Sequence, residues 1–224
     1  MNRLTSLIIL LIILLTVQTA HAADLTAAQD LITPAGLPQL GKWMLKADNS
    51  PANWLNQKNR GKMLREPINI IIIDPAAESA AEAEKDLIES CRQAGYKIRW
   101  GHSSGYHGYI AGAAYAQLPK EKDKAFSDGP FEIDNNHGRI FGPCFYQGKY
   151  YFAGAFSREI IVLNKNPIHQ YGSFNRARDD FAARMDEKTK FKIKAFVTLD
   201  NAVIDNPILT TGDHDGIAVL LVGD

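Results

Sequence analysis

The hydrophobic positions of the chain follow strand spacing in several segments and helix spacing in two. Residues 67–73 form an almost continuous β-branched run, which is typical of a strand buried on both faces. The next segment has apolar residues at helical spacing between charged ones: Ala83, Leu87, Ile88, Cys91 and Ala94. Gly95 then ends the segment as a left-handed helix cap does, and residues 96–100 alternate with period two. This pattern predicts a β-α-β start.

A pair of aromatic-rich segments follows and predicts a β-hairpin. Residues 137–146 and 149–158 have strand character and are separated by Gln147-Gly148. A two-residue linker ending in Gly is typical of a tight hairpin turn. We therefore expect these two segments to lie side by side and antiparallel.

The last part of the chain predicts one helix and two strands. Ser173 precedes a segment whose apolar face consists of Phe174, Ala177, Phe181 and Met185. Residues 191–199 alternate, and residues 217–222 are continuously apolar. The sequence therefore predicts an α/β fold, in which a mixed sheet has a β-α-β start, a β-hairpin, a second helix and two closing strands.

The first 22 residues have the pattern of a secretory signal peptide. Arg3 precedes an unbroken run of nine Leu and Ile residues, Leu7–Leu15, and Ala20-His21-Ala22 forms a small-x-small cleavage motif. A membrane anchor is the alternative, but a spanning helix needs about 20 apolar residues, and Thr16 interrupts this run early. We predict cleavage after Ala22, a periplasmic or secreted mature chain, and no integral membrane segment in it.

Pro, Asn and Gly residues punctuate residues 23–64, which predicts an N-terminal leader segment with short helical turns. The α/β domain is predicted to occupy residues 65–224. Apolar residues of the leader are expected to pack on that domain: Leu37, Trp43, Leu45, Trp54 and Leu55.

Composition excludes several classes of protein without identifying a reaction. The 25 Lys and Arg residues balance 25 Asp and Glu residues, whereas a dedicated nucleic-acid binder needs a basic surplus. A charged fraction of 22% with 46% hydrophobic residues excludes a disordered or collagen-like chain. We therefore predict a folded domain that binds no nucleic acid.

Export would place Cys91 and Cys144 in an oxidising compartment, where the two thiols can form a disulfide. The alternative is a pair of buried thiols, because both residues lie in apolar segments. Two cysteines fit neither a zinc-finger pattern nor a C-x-x-C redox motif.

Residues 101–105 match the G-x-S-x-G motif directly after a predicted strand. In α/β-hydrolases this motif places the nucleophile on a tight turn, so Ser103 would attack, His214 would act as base, and Asp200 or Asp205 would be the acid. Two features argue against this arrangement. The preceding strand carries exposed charges, and His214 directly precedes the final strand.

His102 and His107 share the same loop, five residues apart. This spacing differs from the i, i+4 spacing of a helical metal pair, and the loop contains no carboxylate. We therefore expect surface histidines, no metal site and no cofactor.

His137 and Arg139 are two residues apart on a predicted strand and so face the same side. The guanidinium can bind an anion bidentately, and the imidazole can add a second donor. A solvated strand edge is the alternative. Further along, Asp213, His214 and Asp215 suit a metal or a general base, and they also suit a plain turn.

Six short motifs occur in an order that resembles the LssY C-terminal domain family. They are Arg65-Glu66-Pro67, Ala94-Gly95-Tyr96, His137-Gly138-Arg139, Phe152-Ala153-Gly154-Ala155-Phe156, His169 before Ala177-Arg178-Asp179, and Gly212-Asp213 to Asp215-Gly216. The resemblance spans about residues 65–222. It departs from the family in having a signal peptide in place of a membrane region, and in the altered segment around residues 126–131.

The resemblance and the local chemistry point to the same residues. We predict that His137, Arg139, His169 and Asp215 converge at one sheet edge, as a polar pocket for a small anionic ligand or an envelope component. The alternative is an Arg139–Asp215 or Arg178–Asp pair that only ties the sheet to a helix. The expected function is an exported binding or envelope-associated module with no assigned catalytic residue. The alternative is a hydrolase of an ester or phosphoester that uses Ser103 or a His137/His169/Asp215 site.

Overall fold

The computed structural model describes residues 30–224, and strands dominate this part of the chain. Strands account for 46% of it and two helices for 15%. The predicted α/β fold is therefore wrong, and the protein is mostly β. Segments that the pattern left as loops, above all residues 31–65 and 107–127, form additional strands.

The elements are numbered in chain order. The strands are β1 (Leu31–Ile32), β2 (Leu40–Gly41), β3 (Asn53–Asn59), β4 (Lys62–Arg65), β5 (Ile70–Asp74), β6 (Lys97–Trp100), β7 (His107–Ile110), β8 (Ala113–Leu118), β9 (Lys124–Ser127), β10 (Asn135–Tyr146), β11 (Lys149–Ile161), β12 (His169–Ser173), β13 (Phe191–Thr198), β14 (Leu209–Thr210) and β15 (Ile217–Gly223). The helices are α1 (Ala80–Gln93) and α2 (Phe174–Lys188).

The main sheet is curled and mixed. Within the compact unit Ile32–Asp224 its strands follow the order β2-β7-β8-β10-β11-β5-β15-β13. Three further strands join it, since β12 pairs with β11, β9 with β10, and β6 with β9. A smaller sheet has the order β14-β4-β3.

The strand after α1 does not return beside β5, so the predicted β-α-β start is wrong. Strand β5 instead pairs in parallel with β15, and Ile70 lies opposite Val219. Strand β6 pairs antiparallel with β9, and its end residues Lys97 and Trp100 are exposed. A half-exposed strand cannot occupy the sheet centre, whereas the apolar β15 can be covered on both faces.

The hairpin forms where the pattern predicted it. Strands β10 and β11 pair antiparallel, with Tyr146 opposite Lys149. The turn residues Gln147 and Gly148 have φ values of 46° and 77°, as a two-residue hairpin turn requires. The register shifts between Phe141 and Cys144, so a bulge interrupts the ladder near Pro143, which has no amide proton to donate.

Two hydrophobic clusters lie on opposite faces of the main sheet, because alternate residues of a strand point in opposite directions. Ile70 and Ile72 pack with both helices in one cluster. Ile71 and Ile73 belong to the other cluster, which the segment from residue 32 onward covers with Leu40, Met44, Ala52 and Ile68. The predicted helical turns of residues 23–64 are thus wrong for the described part, which contributes strands and buried side chains.

The sheet also separates the two cysteines. Cys91 lies on α1 in the helix-side cluster, and Cys144 lies in the cluster on the opposite face. Both thiols are buried and free, and burial raises the pKa of the Cys91 thiol. Of the two alternatives, the structure therefore has the pair of buried thiols and not the possible Cys91–Cys144 disulfide.

The predicted signal peptide, residues 1–22, lies outside the described residues. Within residues 30–224, neither helix has the length and apolar character needed to cross a bilayer.

Candidate functional site

A cluster of buried polar side chains lies on the face of the hairpin that points away from the helices. Residues of β10 alternate, so His137 and Arg139 share a face with Phe141 of the helix-free cluster. On β11, Ser157 lies opposite His137 and Glu159 lies opposite Asn135. The hairpin register thus brings an imidazole, a guanidinium and a carboxylate onto one surface.

His137 is held from both ring nitrogens. Its Nδ1 lies 3.1 Å from Asn135 Oδ1 and 3.7 Å from Glu159 Oε2. Its Nε2 lies 3.4 Å from Ser157 Oγ, which accepts a hydrogen bond from Trp54 Nε1 at 3.0 Å. These contacts fix the orientation of the His137 ring.

Glu159 links two histidines. One carboxylate oxygen is in close contact with His169 Nδ1, and the other faces His137. The His169 ring stacks on Phe131, with ring centroids 4.1 Å apart. His169 lies on β12, opposite Ile161 of β11, so strand pairing places it near the same carboxylate.

A loop after β6 brings His102 over this surface. The backbone amides of Gly101 and His102 both donate to the Asp123 carbonyl, which fixes the loop. The His102 ring lies 4.4 Å from the His137 ring, centroid to centroid, and meets Phe131 edge-on. His102 is only 5% exposed, so the expectation of a surface histidine is wrong.

His102, His137 and Glu159 offer three metal-binding atoms that lie within 4.8 Å of one another. Burial, aided by Arg139, lowers the pKa of His102 to about 3. Burial also lowers the pKa of His137 well below its usual value, and it raises that of Glu159 against the effect of His169. Both imidazoles are therefore neutral near pH 7 and have the lone pairs that a metal ion requires.

The three side chains border a small cavity that is partly open to solvent. Glu66, Ser103 and Arg139 also line it. Two buried nitrogen atoms beside it, His102 Nε2 and Arg139 Nε, have no hydrogen-bond partner. Buried polar atoms normally find partners, so these two indicate a ligand that completes the site.

Arg139 and Glu66 both line the cavity wall. The guanidinium donates from Nη2 to the Ser103 carbonyl at 2.7 Å and packs over the Tyr106 ring. Glu66 is 5% exposed, and burial raises its pKa to about 7, although Arg139 opposes this shift.

The predicted serine nucleophile lies at the cavity but has no base beside it. Ser103 Oγ accepts from Tyr106 Oη at 3.0 Å and from Arg139 Nη2 at 3.3 Å. His214, its predicted base, instead contacts Asn201 at 2.8 Å. The two acid candidates are exposed, and Asp200 pairs with Lys42. The Ser103 triad is therefore not formed.

Three of the four residues predicted to converge do so, and the fourth does not. His137 and Arg139 line the cavity together with Glu159, and His169 contacts the Glu159 carboxylate. Asp215 instead accepts a hydrogen bond from Arg178 of α2 at 2.6 Å. The alternative of an Arg178–Asp pair that ties the sheet to a helix describes Asp215 correctly.

The sequence analysis missed Glu159, Glu66 and the role of His102. The hairpin turn alone would place Glu159 opposite Asn136, and the bulge between Phe141 and Cys144 shifts the register so that it lies opposite Asn135, on the face of His137. Glu66 belongs to the first motif of the resemblance but was not assigned to the site. The burial of His102 depends on contacts with Phe131 and Asp123, which are distant in sequence.

Comparison of the chain with protein-family models, with curated proteins and with solved structures found no match.

Proposed function

We propose that this protein is a metal-dependent hydrolase that binds one divalent transition-metal ion, of which Zn²⁺ is the best fit, between His102, His137 and Glu159. The observation that carries the proposal is the convergence of these three donors within 4.8 Å at the edge of a cavity. Two imidazoles and a glutamate are a donor set that zinc hydrolases use.

The number of donors favours a catalytic over a structural metal site. Structural zinc sites are closed by four protein ligands, whereas catalytic sites have three and keep a position open for water or substrate. The cavity beside His102 and Glu159 supplies that open side. His169 holds one oxygen of Glu159, so it acts as a positioning residue for the carboxylate.

The surroundings suit the hydrolysis of an ester. A bound divalent ion lowers the pKa of its water towards neutrality and polarises the ester oxygen. Hydrolysis forms a bond from the water oxygen to the reacting carbon or phosphorus and breaks the bond to the leaving oxygen, and the water proton ends on the leaving alcohol. Arg139 stands at the cavity wall, where it can stabilise the negative charge that develops on the reacting group.

Metal binding and turnover are tested separately on the same protein. After treatment with a chelator, isothermal titration with Zn²⁺ and elemental analysis should give one ion per chain. His137→Ala and Glu159→Gln should each weaken Zn²⁺ binding by about 100-fold or more, because each removes a ligand. The Zn²⁺-loaded protein should hydrolyse p-nitrophenyl acetate or p-nitrophenyl phosphate, and the metal-free protein should not.

His107→Ala is the matched control, since His107 follows the same loop but contacts Asn49 at 2.8 Å rather than the cluster. It should bind Zn²⁺ as the unmodified protein does. Equal loss in the His107 and His137 variants, or no Zn²⁺ binding at all, would contradict the metal site. Stoichiometric binding without turnover on either ester would contradict the hydrolase.

We also propose that the chain is exported and that it is a member of the LssY C-terminal domain family. The signal-peptide pattern of residues 1–22 supports the first proposal, and the order of the six motifs supports the second. In that family pattern His137, Arg139 and His169 are motif residues, and they are the ones that surround Glu159.

A further inference from the structure

We propose that the group recognised in this cavity is a phosphoryl group, held by Arg139 and Glu66 while one of its oxygens faces the His102/His137/Glu159 cluster. The inference rests on the proposed metal site and names the class of substrate that this site takes.

Arg139 has unused donor capacity at the cavity wall. Its Nη2 is committed to Ser103, but its Nε is buried and has no partner. The residue is only 4% exposed, so this nitrogen faces the cavity rather than bulk solvent. The free Nε–H and the guanidinium N–H groups that Ser103 does not use form a fork that fits two oxygens of an oxyanion.

A metal ion bound by the His102/His137/Glu159 cluster would also require an anion between itself and Arg139. A divalent ion held by one carboxylate would face the positive charge of Arg139 across a small cavity. Two like charges in a site of low dielectric constant repel each other strongly unless an anion lies between them. A bound phosphoryl group satisfies both cations and gives each of them an oxygen.

Glu66 favours a phosphoryl group over a carboxylate. It lines the same cavity, and burial raises its pKa to about 7, so its carboxyl is mostly protonated below that pH. A protonated carboxyl adds an O–H donor to those of Arg139. Three sites, namely the metal, the guanidinium fork and the Glu66 hydroxyl, require more than the two oxygens of a carboxylate and match the oxygens of a phosphoryl group.

The test is isothermal titration of the full chain with inorganic phosphate, with the phosphomonoester glycerol phosphate, and with acetate. Each titration is done with and without Zn²⁺ at pH 6.5. We expect phosphate and the monoester to bind at least about tenfold more tightly than acetate in the Zn²⁺-loaded protein. Arg139→Gln should reduce phosphate affinity by about tenfold or more and leave Zn²⁺ affinity within about threefold. Arg176→Gln, an exposed arginine on α2, is the control and should change neither.

Two further comparisons sharpen the assignment. Arg139→Lys keeps the charge but loses the fork, so it should bind phosphate more weakly than the unmodified protein. Glu66→Gln keeps a neutral donor and Glu66→Ala removes it, so phosphate should bind more weakly to Glu66→Ala than to Glu66→Gln, and equal affinity of the two variants would overturn the role of Glu66. Glycerol phosphate binding more tightly than inorganic phosphate would identify an ester as the source of the phosphoryl group, and the reverse order would identify the free ion.

The outcomes separate this inference from the proposed function. Normal Zn²⁺ binding with equal affinity for phosphate and acetate would overturn the phosphoryl assignment and leave the metal site standing. Absence of Zn²⁺ binding would contradict the proposed function, and in that case phosphate binding that depends on Arg139 would still support the anion site. Phosphate affinity unchanged in Arg139→Gln would overturn the role of Arg139 in either form.

Discussion

Individual residues of the cavity carry opposite pKa shifts that have one cause. Burial penalises whichever form of a side chain is charged, so it lowers the pKa of His102 to about 3 and raises that of Glu66 to about 7. His102 is therefore uncharged near neutral pH, and Glu66 is only partly ionised there. Arg139 keeps its positive charge at the same wall, which is why the cavity favours an anionic ligand.

The shift of Glu66 predicts a pH-dependent cost to stability. The pKa of Glu66 is about 7 in the folded chain, whereas its ordinary value is 4.5. The contribution of Glu66 to the unfolding free energy is therefore complete below pH 4.5 and is lost as the pH rises through 7. The full loss amounts to roughly 3 kcal/mol. Glu66→Gln does not titrate, so it should exceed the unmodified protein in unfolding free energy at pH 8 and not at pH 5, as measured by urea unfolding.

The contribution of the buried histidines cancels when the unfolding free energy of Glu66→Gln is compared with that of the unmodified protein at the same pH, because both proteins contain these histidines. Burial lowers the pKa of His214 to about 4 as well as that of His102, and these groups destabilise the fold as the pH falls, which is the opposite direction. Glu132→Gln, at an exposed position, should differ from the unmodified protein by less than about 0.5 kcal/mol at either pH. A Glu66→Gln variant that is equally destabilised at pH 5 and pH 8 would show that Glu66 is ionised in the fold.

At the scale of single residues, the sequence predicts one part of the site and misses another. The two-residue spacing of His137 and Arg139 is enough to place them on one face, because strand geometry is local. The contact between His169 and Glu159 depends on the pairing of β11 with β12, which no local pattern reveals. Asp215 is the opposite case. Its position beside a histidine in a turn predicted that it would join the site, but its carboxylate pairs with Arg178 of helix α2.

At the scale of elements, the loop between β6 and β7 decides whether the site is complete. It presents His102, and its backbone is anchored to the Asp123 carbonyl. Gly101 has a φ of +101° and comes so close to Phe131 that a Cβ would lie 2.5 Å from the ring. Phe131 in turn stacks on His169, so the glycine fixes the position of two histidines at once.

Gly101→Ala should therefore damage both stability and metal binding. It combines a strained backbone with a clash that must displace the Phe131 ring, so we expect a loss of roughly 2–4 kcal/mol in unfolding free energy. Zn²⁺ affinity should fall by about tenfold. Gly105→Ala is the matched control in the same loop, because its φ is +89° but no atom lies within 4 Å of the added carbon.

Gly105→Ala should cost only the backbone strain, roughly 1 kcal/mol, and leave Zn²⁺ affinity unchanged. Urea unfolding and Zn²⁺ titration of both variants measure the two quantities. Equal behaviour of the two variants would show that the contact between Gly101 and Phe131 does not position the site.

For the molecule as a whole, local patterns identify elements better than they identify partners. Both helices, the hairpin and the last strand lie where their periodicity predicts. The pairing of β5 with β15 joins residues about 150 positions apart, and it follows from which strand can be covered on both faces rather than from any neighbouring motif. The short strands β2, β7 and β9 contain few alternating residues, so their place in the sheet is fixed by tertiary contacts alone.

The largest difference concerns the segment before residue 65, which the sequence analysis treated as a leader. It supplies four large side chains that are at most 2% exposed: Leu40, Met44, Trp54 and Leu64. Removing them should cost roughly 10 kcal/mol in total, which is comparable to the whole stability of a domain. We therefore expect a chain of residues 65–224 to show no cooperative thermal transition, whereas a chain of residues 30–224 should melt cooperatively. Circular dichroism in the near ultraviolet checks both, and a cooperative melt of the shorter chain within a few degrees of the longer one would contradict the prediction.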